Sequence, residues 1–148
     1  MPRATGAPST QPLYLLDTHV WLWLMAGQEP LASSPARATL AAGATRRARR
    51  VSVISAWEVG MLEAKGRIGL PGGCDAWTRQ ALAAPGLSLA PLTPQIAIAS
   101  SRLPGTFHGD PADRILAATA RALDAHIVTR DRRILDYAGD GHVSVIAV

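Results

Sequence analysis

Leu13-Tyr14-Leu15-Leu16-Asp17-Thr18-His19 is the stretch whose reading decides the fold. Four apolar residues run without alternation into an aspartate, the pattern of a short strand buried on both faces. Val20-Trp21-Leu22-Trp23-Leu24-Met25 comes next with no turn signal before Gly27, so the chain passes from strand directly into helix. An acid at the carboxyl end of a buried strand stands where open α/β sheets form their ligand crevice. The same acid can equally serve as an N-cap, and only the rest of the chain separates the two readings.

Outward from this stretch, strands and helices alternate. Ser34 as N-cap and Pro35 in the first turn open a helix through Ala42. Gly43 weakens it, and it runs into Arg46, Arg47, Arg49 and Arg50. Val51-Ser52-Val53-Ile54 reads as the second strand, and Ser55 with Glu58 as a capping box opening a helix from Trp57 to about Lys65. A helix over 75–84 precedes a strand over 87–92, where Pro91 marks an edge position, and a short helix continues through Ser101. Asp110 as N-cap, Pro111 in the first turn and apolar Ile115, Leu116, Ala118, Ala122 and Leu123 at helical spacing give a helix to Leu123. His126 to Thr129 is a strand, Arg130-Asp131 leads into a helix through Tyr137, and Val143 to Val148 is the last strand. This alternation predicts a three-layer α/β/α sandwich around a central parallel sheet. One domain is expected over 13–148, behind a leader over 1–12 that is rich in Pro, Gly, Ser and Thr and expected to be disordered.

Composition narrows the class. A chain of 148 residues builds one core and not two. Its 48% apolar content belongs to a globular protein, and the net charge of +4 suits a polyanionic partner without requiring one. The Arg46–Arg50 block has two explanations, attraction to the helix dipole and contact with RNA phosphates. Cys74 is the sole cysteine, which excludes a disulfide framework and a thiolate metal site. The run from Leu13 to Met25 is too short to span a bilayer and is broken by Asp17 and His19, and 1–12 has no apolar signal core. The expected location is the cytoplasm.

Asp17, Glu58 and Asp131 each stand just beyond a strand's carboxyl end, and Asp113 lies in the first turn of the helix leading into the fourth strand. In such a sandwich these positions can converge. Singly, three of the acids are explained as helix caps and Asp131 as the start of a turn. Together at one edge they repel unless a cation lies between them, and an all-oxygen set suits a hard divalent ion that can activate water at a phosphodiester. There is no competing His/Cys cluster and no glycine-rich phosphate loop.

In Leu15-Leu16-Asp17-Thr18-His19, Ser55-Ala56-Trp57-Glu58, His108-Gly109-Asp110-Pro111-Ala112-Asp113-Arg114 and Ile127-Val128-Thr129-Arg130-Asp131 the chain resembles the PIN-domain ribonucleases, and among them the VapC-type toxins of bacterial toxin–antitoxin pairs. The resemblance covers nearly all of Leu13 to Val148, and the motifs are weak singly and specific together. It implies a Mg²⁺- or Mn²⁺-dependent endoribonuclease that cleaves single-stranded or looped RNA such as tRNA or rRNA. Asp17, Glu58, Asp113 and Asp131 would be the metal-binding catalytic set, with Thr18 and Thr129 flanking it and Asp110 as an accessory acid. Asp17 and Asp113 would be the principal ligands and Asp131 a weaker one, while Glu58 would help activate water. The resemblance further implies a VapB-like antitoxin partner and a homodimer. The leader before Leu13 departs from the family pattern. Arg114 is expected either to bind phosphate or to pair with Asp110. Trp21, Trp23 and Trp57 are assigned to core or interface. The rival readings are a housekeeping RNA-processing nuclease and a catalytically inactive RNA- or protein-binding module. A phosphotransfer domain needs a lysine partner for a nucleophilic aspartate, and Lys65 is the only lysine.

Overall fold

In a computed structural model that describes residues 11–148, five strands form one all-parallel sheet. β1 (Leu13–Leu16), β2 (Arg49–Ser52), β3 (Leu87–Ala90), β4 (Ala125–Thr129) and β5 (Ser144–Ala147) lie in the order β3-β2-β1-β4-β5. The helices are α1 (Thr18–Ala26), α2 (Ala36–Thr45), α3 (Val53–Ala64), α4 (Cys74–Leu82), α5 (Pro94–Ser100), α6 (Pro111–Leu123) and α7 (Arg132–Gly139), with a 3-10 turn at Leu31–Ser33.

The period of two along a strand sorts β1 between the apolar layers on the two faces of the sheet, which together make the core. Tyr14 and Leu16 face Val20 and Trp21 of α1, Leu40 of α2 and Val59 of α3. Leu15 faces the other way, toward Leu116 and Ala120 of α6 and Ile134 of α7. Leu15 and Leu16 are both fully buried. A strand covered on both faces needs apolar side chains at every position, which is why β1 reads as an unbroken apolar run. The expected sandwich is therefore present.

Boundaries differ from the sequence reading chiefly at two strands, and β2 also begins at Arg49, so that Arg49 and Arg50 belong to it and not to the end of a helix. The strand expected over Val51–Ile54 ends at Ser52, and α3 begins at Val53. The β-branched residues Val53 and Ile54 suit a strand by propensity, but β2 pairs with β3 only as far as Ser52 opposite Ala90. Ser52 is the N-cap, its side chain accepting from Ile54 N–H at 3.1 Å. Ser55 and Glu58 are consequently not a capping box; both lie inside the helix. The strand expected to Leu92 stops at Ala90 and occupies the sheet edge.

The leader expected over 1–12 lies, up to residue 10, outside the described residues. Gln11 and Pro12 accept hydrogen bonds from the Arg46 guanidinium, which also stands 5.5 Å from the Tyr14 ring centre. Arg49 is buried and donates to Pro85 O at 2.5 Å, and Arg50 donates to the carbonyls of Arg47 and Arg49. Because Arg49 pairs in register with Tyr14, the arginine block sits at the amino end of the strands, across the sheet from the acids. Gly86 holds this end together: it has φ +72°, and a Cβ there would lie 2.0 Å from Ala44 O. Gly86→Ala is expected to lower stability by at least about 2 kcal/mol, read as the shift in a urea midpoint.

Candidate active site

β1 and β4 are neighbours with Leu16 opposite Val128, so Asp17 and Arg130-Asp131 emerge from them side by side. Asp17 N–H donates to Val128 O at 3.0 Å. The Asp17 carboxylate caps α1, accepting from Thr18 N–H at 2.7 Å, and also accepts from Thr129 Oγ1 at 2.6 Å. Thr129 Oγ1 in turn accepts from Asp131 N–H at 3.0 Å, and Asp131 caps α7 by accepting from Arg133 N–H at 2.8 Å. One buried threonine thus fixes two acids on adjacent strands. Capping and site-building are the same act here.

Two helices supply the other acids. Glu58, on α3, has Oε1 2.5 Å from Thr18 Oγ1, which is itself 2.9 Å from Ser55 Oγ. A hydroxyl has one proton and an ionised carboxylate can only accept, so Thr18 donates to Glu58 and takes its second bond from Ser55. Thr18 and Ser55 are fully buried. Asp113 lies in the first turn of α6, its N–H donating to the capping Asp110 at 3.1 Å. His108 accepts at Nδ1 from Asp110 N–H at 3.3 Å, which leaves the ring proton on Nε2. That Nε2 is 3.0 Å from Asp113 Oδ2, at an angle too oblique for a hydrogen bond.

All four acids line one cavity of about 330 Å³, together with His19, Val20, Trp23, Asp110, Arg130 and Arg133. Burial drives the carboxyl of Asp113 up to about 7 from an ordinary 3.8, and the charges of Asp17, Asp110, Asp131 and Glu58 add to the rise. Asp17 and Glu58 are also raised, chiefly by burial, with the hydrogen bonds from Thr129 and Thr18 opposing it. His108 is lowered, first by burial and next by Arg133. Arg133 is 3.5 Å from Asp131 and 3.9 Å from Asp113, but its side chain is 60% exposed, so it offsets little of the repulsion.

Among the described residues, no group of three or more His, Cys, Asp or Glu side chains stands close enough together to hold a metal ion. The donor chemistry nevertheless fits a hard cation: carboxylates that raise one another's pKa at a shared cavity form a site that a divalent ion neutralises, and no soft ligand is in it. A pH dependence results. Between 3.8 and about 7 the folded chain keeps a proton on Asp113 that the unfolded chain has released, so this contribution to stability is lost as pH rises through that window. The melting temperature of metal-free protein is expected to fall from pH 5 to pH 8, and Mg²⁺ to raise it more at pH 8 than at pH 5, as scanning calorimetry would show.

Thr18→Val tests the hydroxyl relay. It leaves Glu58 and Ser55 without their partner, and a loss of about 1–3 kcal/mol of stability is expected, read as the shift in a urea midpoint.

Sequence reasoning missed some neighbours. Arg130 and Arg133 line the cavity; the only available signal was their placement on either side of Asp131. Ser55 was hidden by its resemblance to a cap. Arg114 does not pair with Asp110; its guanidinium donates to the carbonyls of Ser100, Phe107 and His108 and so clamps the loop that presents His108. Trp21 is fully buried, whereas Trp57 is 57% exposed.

A parallel sheet with four acids gathered at one cavity is the frame within which likeness to known proteins can be weighed. The PIN domain family pattern matches residues 14–140, and the chain belongs to that family. It is 35% identical over 131 residues to Ribonuclease VapC22 of Mycobacterium tuberculosis, spanning 88% of this chain and 96% of that one. The fold is shared with VapBC from Salmonella typhimurium bound to DNA, at a TM-score of 0.66 and 16% identity over 93% of this chain and 98% of that one. It is shared too with VapBC2 from Rickettsia felis bound to a promoter DNA fragment, at a TM-score of 0.65 and 14% identity over 91% and 98%. Among the described residues no helix is long and apolar enough to cross a membrane.

Proposed function

We propose that this chain is a Mg²⁺- or Mn²⁺-dependent endoribonuclease acting as the toxin of a toxin–antitoxin pair. The observation that carries the reading is the meeting of Asp17, Glu58, Asp113 and Asp131 at one cavity at the carboxyl edge of the sheet, in a chain 35% identical to a VapC ribonuclease. These four residues would hold the ion, with Asp17 and Asp113 as principal ligands. When bound, the ion supplies activation of water and stabilisation of charge on the phosphate.

The chain's own residues do the rest. Thr18 and Thr129 hold Glu58 and Asp17 in one orientation each. Burial keeps the Glu58 carboxylate more basic than usual, which suits it to take the proton from the attacking water. The water oxygen bonds to phosphorus as the bond to the leaving ribose oxygen breaks. Arg130 and Arg133 at the rim attract the substrate phosphates.

A VapB-like antitoxin is the expected partner, because the structural neighbours are toxin–antitoxin complexes. A homodimer is supported by Val53 and Trp57, which are four residues apart on α3 and 37% and 57% exposed. A housekeeping RNA-processing role for the same site is the rival reading; a small DNA-binding antitoxin gene beside this one favours the toxin. The test is digestion of total cellular RNA by purified protein. Discrete fragments from tRNA or rRNA are expected with Mg²⁺ and none with EDTA, whereas cutting that persists in EDTA overturns the metal-dependent reading.

A further inference from the structure

A second cavity of about 320 Å³ opens beside the acids, and His19 and Trp23 line both. They are four residues apart on α1 and so share one face of the helix; their rings are 6.1 Å apart. The far wall is Trp77, whose ring lies 4.9 Å from that of the fully buried Trp21 and is thereby fixed in place. Ile68 and Leu70 close the floor, and Gln28 stands at the edge. Trp23 lies six residues beyond Asp17, about 9 Å along the helix, the reach of a nucleotide or two.

We infer that this aromatic pocket binds one nucleobase of the RNA, next to the phosphate held at the acids. The inference rests on the ribonuclease reading and extends it from the scissile bond to the choice of sequence. A largely apolar cavity lined by two indole rings offers stacking surface to an unstacked base. Its edge carries the Gln28 amide and the His19 imidazole, neither hydrogen-bonded through its side chain to any described residue, and an amide can read a base edge as donor and acceptor. Continuity with the acid cavity through His19 and Trp23 gives the base a route in from a phosphate at Asp17.

The experiment uses RNA decamers spanning the cleavage site mapped in the total-RNA digest, each with a single base removed. With wild-type protein, loss of one particular base within two nucleotides of the cut is expected to lower kcat/KM about tenfold or more. In Trp23→Leu that loss is expected to matter by no more than about twofold, Trp23→Phe is expected to restore the sensitivity, and Gln28→Ala to alter which base is preferred there. An unchanged profile in Trp23→Leu overturns the inference while leaving the nuclease intact. If the same variant also loses binding to the cognate antitoxin, the pocket is a protein-docking site instead. Absence of cleavage by wild-type protein overturns the underlying reading itself.

Discussion

Asp113→Asn is expected to make the metal-free protein more stable at pH 8 while slowing RNA cleavage by a factor on the order of 10² to 10⁴. Both effects come from one cause. The Asp113 carboxyl is buried among four other acids and titrates at about 7 instead of 3.8. Holding its charge in the fold at pH 8 opposes folding by at most about 4 kcal/mol, and relaxation and water entry reduce this, so a gain of about 2 kcal/mol is the expected size. An amide carries no charge to repel and keeps nearly the same shape, but it binds a divalent cation poorly. Urea unfolding of both proteins at pH 8 and at pH 4.5 measures it. The gain should shrink toward the lower pH, where wild-type Asp113 is already protonated. A variant equally destabilised at both values would mean that Asp113 is held by its contacts rather than strained by its neighbours.

Asp17→Asn is expected to lose cleavage to a similar degree, on the order of 10² to 10⁴, with little change in fold. Asn caps a helix about as well as Asp, so the bond from Thr18 N–H survives. What changes is the charge and one of two acceptor oxygens. Thr129 must then turn its hydroxyl toward an amide in place of the carboxylate, disturbing the link it makes with Asp131. Near-wild-type circular dichroism with cleavage lost is the expected pair of results. Lost cleavage with a lost fold would make Asp17 a structural cap and no more.

The parts of this molecule legible in its sequence are those decided locally. The apolar run into Asp17 determined both the strand and the acid's position, because a strand buried on two faces tolerates few other patterns. Asp110, Pro111 and Asp113 marked the start of α6 for the same kind of reason: cap chemistry acts within one turn. Convergence of the acids came from placing Asp17, Glu58 and Asp131 just beyond strand ends and Asp113 in the first turn of the helix that leads into the fourth strand of a parallel sheet.

What was illegible depended on distant partners. Val53 and Ile54 look like strand, and only the absence of a pairing neighbour beyond Ala90 turns them into helix. Ser55 matched a capping pattern, yet its hydroxyl meets Thr18, 37 residues away in sequence. Arginines are the extreme case. Long flexible side chains take whichever carbonyl or carboxylate the fold brings near, so Arg114 became a loop clamp, Arg49 a buried tie to Pro85 and Arg133 a neighbour of Asp113.

Whether the four carboxylates act as a single metal-binding catalytic unit is tested most directly by a Mn²⁺ titration followed by electron paramagnetic resonance. Wild-type protein, Asp17→Asn and Asp113→Asn would be titrated at pH 8, with RNA cleavage measured at each Mn²⁺ concentration. A single unit predicts that cleavage by the wild type rises with Mn²⁺ occupancy, and that both variants lose occupancy and cleavage together. Equal Mn²⁺ binding by all three proteins, or cleavage with no dependence on occupancy, would contradict it.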